Sequence, residues 1–154
     1  MSVLTTGSTA PGESPRMLVV DASAFASWAF PDEQGDRVSQ ALIRIMTEED
    51  SAISAAIFPL EALHAAGRAL ARGRFTPSAH QHVLRLLSRF PVALAPMRVS
   101  PLEFWSWSQT LALTPCDAAY LKLAVELKAP LVTMDRALMR ACQQLDHPLI
   151  TDLA

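Results

Sequence analysis

Met17-Leu18-Val19-Val20-Asp21 and Pro130-Leu131-Val132-Thr133-Met134-Asp135 are the two stretches whose reading decides the fold. Each is a short apolar run that ends in an aspartate and passes into a helical pattern. Short strand-like runs that alternate with helical segments argue for βαβ units and a parallel sheet covered by helices. In such a sheet, ligands bind beyond the carboxyl ends of the strands, where the chain order reverses. Asp21 and Asp135 are therefore candidates for one site.

Outward from these two runs the alternation continues. Helices are expected over Ala22 to Phe30, stopped by Pro31, and over Asp36 to Glu49, followed by a short strand at Ser51 to Ser54. Leu60 to Arg72 is strongly helical and closes at Gly73, and Pro77 to Phe90 is helical before the apolar run Val92 to Ala95. Helices follow at Pro101 to Leu111, Pro115 to Lys128 and Ala137 to Gln144, with strands at Leu131 to Thr133 and Leu149 to Thr151. No internal repeat is present.

Length and composition bound the rest. At 154 residues the chain is expected to be one α/β domain over 17–154, with 1–16 as a disordered tail rich in Ser, Thr, Gly and Pro. Met17, directly before the first strand, is a second candidate for the start of the chain. A domain this size buries roughly 70% of the surface of its unfolded chain, enough for a single core. No stretch approaches the ~20 apolar residues of a membrane span, and the first sixteen residues lack the apolar run of a signal peptide. The expected compartment is the cytoplasm, and both Cys116 and Cys142 are expected to be reduced core residues.

The net charge of −2 argues against broad non-specific adhesion to nucleic acid. Eleven of the thirteen cationic residues are arginine, the cation suited to bidentate phosphate contact. Arg68, Arg72 and Arg74 cluster, with Arg85 and Arg89 on the next helix; a solvated helix face explains such a cluster equally well.

Two further acids join the strand-end pair. On the helix that begins near Leu60, Glu61, His64, Arg68 and Arg72 fall within about a quarter of the circumference and form a polar stripe. Leu60, Leu63, Gly67 and Leu70 are expected to form the apolar stripe that packs on the sheet. Thr114-Pro115-Cys116-Asp117 fits a capping box with proline at the first helical position. Asp117 shares a side with Tyr120, Leu121, Ala124 and Leu127, whereas Lys122 and Glu126 mark the solvated face. An acid on the inward side is expensive without a cation. Capping and helix-dipole roles explain Asp21, Glu61, Asp117 and Asp135 one at a time; a shared hard cation explains all four. Carboxylates suit Mg²⁺ or Mn²⁺, and His64, with no second His or Cys at ligand spacing, reads as a hydrogen-bonding neighbour.

The blocks Val19-Val20-Asp21-Ala22-Ser23-Ala24, Leu60-Glu61-Ala62-Leu63-His64-Ala65, Thr114-Pro115-Cys116-Asp117-Ala118-Ala119-Tyr120 and Leu131-Val132-Thr133-Met134-Asp135-Arg136 resemble the four acidic motifs of PIN-domain ribonucleases. The likeness is greatest to the VapC-type toxins of toxin–antitoxin pairs, and it runs from Met17 to the C-terminus. The family often has Asn where His64 stands, and its members are often more basic. The resemblance implies a Rossmann-like parallel sheet, Mg²⁺- or Mn²⁺-dependent endoribonuclease activity on RNA, a homodimer, and a cognate antitoxin that covers the site.

On that reading Asp21, Asp117 and Asp135 bind the metal directly and Glu61 completes the shell directly or through water. Ser23, Thr133 and His64 orient waters or carboxylates, and Arg68 and Arg72 form an RNA rim. Phe104, Trp105 and Trp107, crowded on one helix, are expected at an interface. Two rivals stand beside it: an inert binding module that keeps the acids only to dock a basic partner, and a phosphatase of the haloacid dehalogenase type. The second wants an aspartate two residues after Asp21, where Ser23 stands.

Overall fold

The computed structural model describes residues 14–33 and 35–154. The expected tail lies outside the described residues as far as residue 13, and Arg16, its last member, is held by Asp50. Five strands, β1 (Met17–Val20), β2 (Ser51–Ala55), β3 (Val92–Ala95), β4 (Leu131–Val132) and β5 (Leu149–Ile150), form one all-parallel sheet among the described residues, in the order β3-β2-β1-β4-β5. The chain moves outward from β1 through β2 to β3, then crosses back to lay β4 on the other side of β1. That reversal lies between β1 and β4, where Val19 pairs with Leu131 and Val20 with Val132.

Leu18, Val19, Val20, Leu131 and Val132 are all fully buried, as expected of central parallel strands covered on both faces. Helices α1 (Ala22–Ala29), α2 (Asp36–Met46), α3 (Phe58–Ala71), α4 (Pro77–Arg89), α5 (Pro101–Thr110), α6 (Pro115–Leu127) and α7 (Arg136–Gln144) flank the sheet. Side chains cap four of them. Asp21, Thr76, Thr114 and Asp135 each accept the backbone N–H three residues on, leaving fewer unpaired donors in the first turns. An edge-to-face cluster of Phe25, Phe58 and Phe90 locks α1, α3 and the end of α4 together.

Four expectations need correction. The second helix ends at Met46 rather than Glu49, because Glu48 adopts a left-handed backbone (φ 61°) and the N–H groups of Glu49 and Asp50 fold back onto the Arg44 carbonyl. The apolar stripe of α3 is not Leu60, Leu63, Gly67 and Leu70: Leu60 and Leu63 are 69% and 44% exposed, and Phe58, Ala62, Ala66 and Ala69 are buried instead. Helix α3 packs on α1, which presents Ala22, Ala26 and Ala29, and small residues on both sides let the two axes approach closely. Leucines would hold them apart. Cys116 is exposed in the first turn of α6, while Cys142 is buried as expected. Leu127, placed on the inward side of α6, is exposed at that helix's last turn.

Candidate functional site

Asp21 stands where β1 passes into α1, beside the reversal point, and it is buried to 3% exposure. Its Oδ1 accepts the Ala24 N–H at 2.9 Å, the contact that caps α1. The Ser23 hydroxyl donates to the same carboxylate at 2.8 Å, and the Thr133 hydroxyl donates to Oδ2 at 2.6 Å. Each hydroxyl has a single hydrogen, so both are committed to Asp21 and their oxygens are free to accept. The Met134 N–H donates to Ser23 Oγ at 2.9 Å and the Asp135 N–H to Thr133 Oγ1 at 3.0 Å. Thus the end of β1 is laced to the turn after β4, and Asp135 is fixed relative to Asp21 through neutral groups alone.

The other acids arrive from helix starts. Asp135 caps α7 by accepting the Leu138 N–H at 2.9 Å. Asp117 forms one half of the expected capping box, its N–H donating to Thr114 Oγ1 at 3.2 Å, while its Oδ2 accepts the Thr114 hydroxyl at 2.7 Å. Glu61 lies in the first turn of α3 and accepts a short hydrogen bond from the hydroxyl of Tyr120 on α6. Tyr120 is fully buried, so its hydroxyl needs a partner, and Glu61 is that partner. In the sequence Tyr120 lies on an inward face and ends the third motif block, and neither placement announces its bond to Glu61. A tyrosine three residues after Asp117 was the available signal.

Asp21, Glu61, Asp117 and Asp135 all line one cleft of about 560 Å³, together with Ser23, His64, Arg68 and Tyr120. Thr133 lies beneath it, buried and bonded to Asp21. His64 is exposed on the wall, and Arg72 stands outside the cleft on the next turn of α3. All four acids thus line one cleft, and Asp21, Asp117 and Asp135 also bond at helix starts. Among the described residues, no three Asp, Glu, His or Cys side chains are already drawn together as a metal cage.

The electrostatics follow from burial without a counter-charge. Loss of hydration pushes the Asp21 carboxyl up to about 7, against the lowering effect of the bonds from Thr133, Ala24 and Ser23, and the charge of Asp135 adds to the rise. Asp117 is raised for the same first reason, desolvation, opposed by its bond from Thr114 and helped by Asp135. Burial and then the bond to Glu61 push the Tyr120 hydroxyl well above its ordinary range, so it stays protonated as a donor. Hard oxygen donors at a switch point, one of them buried and short of a positive partner, suit a divalent cation of the Mg²⁺ or Mn²⁺ kind.

The family model described as PIN domain matches residues 18–143. No curated protein matches the chain in sequence. Among solved structures, PAE2754 from Pyrobaculum aerophilum is similar with a TM-score of 0.64 and 24% identity, covering 90% of this chain and 86% of that one. FitAcB from Neisseria gonorrhoeae is similar with a TM-score of 0.56 and 14% identity, covering 86% and 96%. FitAB bound to an IR36 DNA fragment is similar with a TM-score of 0.57 and 15% identity, covering 88% and 95%. These likenesses are likenesses of fold.

Proposed function

The chain belongs to the PIN domain family, whose members are generally nucleases, and from that premise we propose that it is a Mg²⁺- or Mn²⁺-dependent endoribonuclease. The observation that carries this reading is Asp21, buried among neutral donors in a cleft that three more carboxylates line. Asp21, Asp117 and Asp135 would hold the ion directly, with Glu61 as a further ligand or the holder of a water. An ion there would supply a water of lowered pKa and a counter-charge for the phosphoryl oxygens of the scissile bond.

The chain's own groups do the positioning. Ser23 and Thr133 fix the rotamer of Asp21, Thr133 holds Asp135 and Ser23 holds Met134 at the backbone, and Tyr120 fixes Glu61 by donating to it. Arg68, at the cleft wall, would meet a phosphate of the substrate.

By its motif likeness to the VapC type, the protein would act as the toxin of a toxin–antitoxin pair in the cytoplasm. The antitoxin would silence it by placing an Arg or Lys among the four acids. The structural neighbour FitAB is bound to a DNA fragment, so DNA is the rival substrate or the rival platform for such a complex. No helix among the described residues is long and apolar enough to cross a membrane. Helix α5 supplies a face for a second copy: Leu102 and Trp105 are 77% and 54% exposed, beside the stacked rings of Phe104 and Trp107.

The test is cleavage of labelled single-stranded RNA and DNA by the purified chain with Mg²⁺, with Mn²⁺ and with EDTA. Metal-dependent cuts within the RNA are expected. Cleavage confined to DNA would change the substrate, and no cleavage of either under any metal would leave the inert binding module as the better reading.

A further inference from the structure

The acid cleft does not end at Arg68. A second cavity of about 300 Å³ shares Ser23, Ala26, Ala65 and Arg68 with it and continues along the α1–α3 saddle to Arg72 and Arg74. The small side chains that bring α1 and α3 together also make the saddle shallow. One groove thus has four carboxylates at one end and three guanidiniums at the other.

The three arginines are not equivalent. Arg74 grips Asp32 with two parallel bonds, at 2.9 and 3.0 Å, reaches Glu33 at 2.6 Å, and lies over the Phe30 ring at 5.6 Å. It is a strut that ties the turn after α1 to the turn after α3, and it offsets the two acids that would otherwise repel an anion at that end. The guanidiniums of Arg68 and Arg72 make no hydrogen bond or ion pair among the described residues, and both residues are exposed. Four residues apart, they project from one face of α3, the face that carries Glu61.

We propose that this far cavity is a second phosphate subsite, in which Arg68 and Arg72 hold the backbone of a single substrate strand that runs along α3 away from the acids. The proposal rests on the nuclease reading and adds the path of the strand. At 1.5 Å per residue the two arginines lie about 10 and about 16 Å along the helix from Glu61. For a stacked strand rising 3.4 Å per nucleotide, that is about three to five nucleotides from the scissile bond. A protein segment would need opposite charges at its two ends to suit both poles of the groove. A polyphosphate strand suits both, given a cation among the acids.

The experiment measures binding of 5′-labelled, phosphorothioate-linked single-stranded RNA to the wild-type protein by fluorescence anisotropy with Mg²⁺, since that linkage keeps the charge of the strand and limits cleavage. Oligonucleotides of about three and about ten nucleotides bracket the predicted distance. The parent should bind the longer strand at least tenfold more tightly. Arg68→Gln/Arg72→Gln should lose most of that gain and lower the slope of log affinity against log salt by about 1.4, the share of two phosphates on a single strand. Arg85→Gln/Arg89→Gln on α4 removes the same charge outside the groove and should keep the gain. The inference is overturned if Arg68→Gln/Arg72→Gln retains the length dependence and slope, or if the α4 pair loses them equally. A parent that binds no RNA of either length would overturn the nuclease reading as well, which separates the two failures.

Discussion

Asp21 and Asp50 are the same residue at nearly the same burial, 3% and 4% exposed, at opposite poles of one sheet. Asp50 precedes β2 at the amino end, and two arginines meet it. The Arg16 backbone N–H and guanidinium bond it at 2.9 Å, and Arg44 holds both of its oxygens, at 2.9 and 3.1 Å. The bond from Arg44 above all, and then those from Arg16, hold the Asp50 carboxyl far below the usual range despite its burial. Asp21, at the carboxyl end, has only hydroxyls and an amide, and its carboxyl is pushed up to about 7. Burial alone therefore does not decide the state of a carboxylate; the charge of its partners does. One pole is a finished ion pair, and at the other the partners of Asp21 among the described residues are neutral.

The sharpest way to break this comparison is Asp21→Asn, which keeps the cap on α1 and removes the charge. Metal-dependent cleavage should fall by more than about 100-fold. Stability should move the other way. A carboxyl raised from 3.8 to about 7 stabilises the fold fully below about pH 4 and loses that contribution as pH rises through about 7. In EDTA at pH 8 the variant should melt higher than the wild type by roughly 5–10 °C, and near pH 4 the two should coincide. Equal melting at pH 8 would show that Asp21 carries no such strain. In the wild type, cleavage should rise with pH through about 7 as Asp21 becomes able to bind an ion.

Asp50→Asn is the mirror experiment. Its folded carboxyl is depressed, so its contribution is present above about pH 4 and lost as pH falls below that. At pH 7 the variant should lose about 2 kcal/mol, a drop of roughly 5 °C for a chain of this length, with cleavage per folded molecule unchanged. The gap should close in acid. A variant as stable as the wild type at pH 7 would deny the pair its structural role.

Thr133→Val gives the smallest effect and tests the lacing between the two halves of the cleft. It removes the donor to Asp21 and the acceptor for the Asp135 N–H, so affinity for Mn²⁺ in a calorimetric titration should weaken by about 10- to 100-fold. The pH midpoint of cleavage should move upward, since a bond that favours ionised Asp21 is gone. Unchanged Mn²⁺ affinity would mean that the hydroxyl holds nothing that binds an ion.

The strands at Met17–Val20, Val92–Ala95 and Leu131–Val132, and the four acids at element boundaries, were legible because apolar runs and caps are local signals. What failed was relational. The leucines of α3 suggest one inward face, whereas Phe58, Ala62, Ala66 and Ala69 are the buried ones beside the alanines of α1, and nothing within α3 announces that. Asp50 sits in the acidic run Glu48-Glu49-Asp50 and reads as a solvated turn; its burial depends on Arg16, 34 residues away. The bond from Tyr120 to Glu61 spans 59 residues and could not be read from either motif alone.

The contact of Thr133 with Asp21 joins positions 112 apart in a chain of 154. A growing chain therefore carries the first acid long before the strand that completes the centre of the sheet emerges. Folding dominated by such distant pairing is slow, because a long loop must close before any contact rewards it. The consequence is a matter of timing: during synthesis the nascent protein holds scattered acids and no assembled cleft, and whatever this cleft does to its surroundings begins only after Asp135 has emerged.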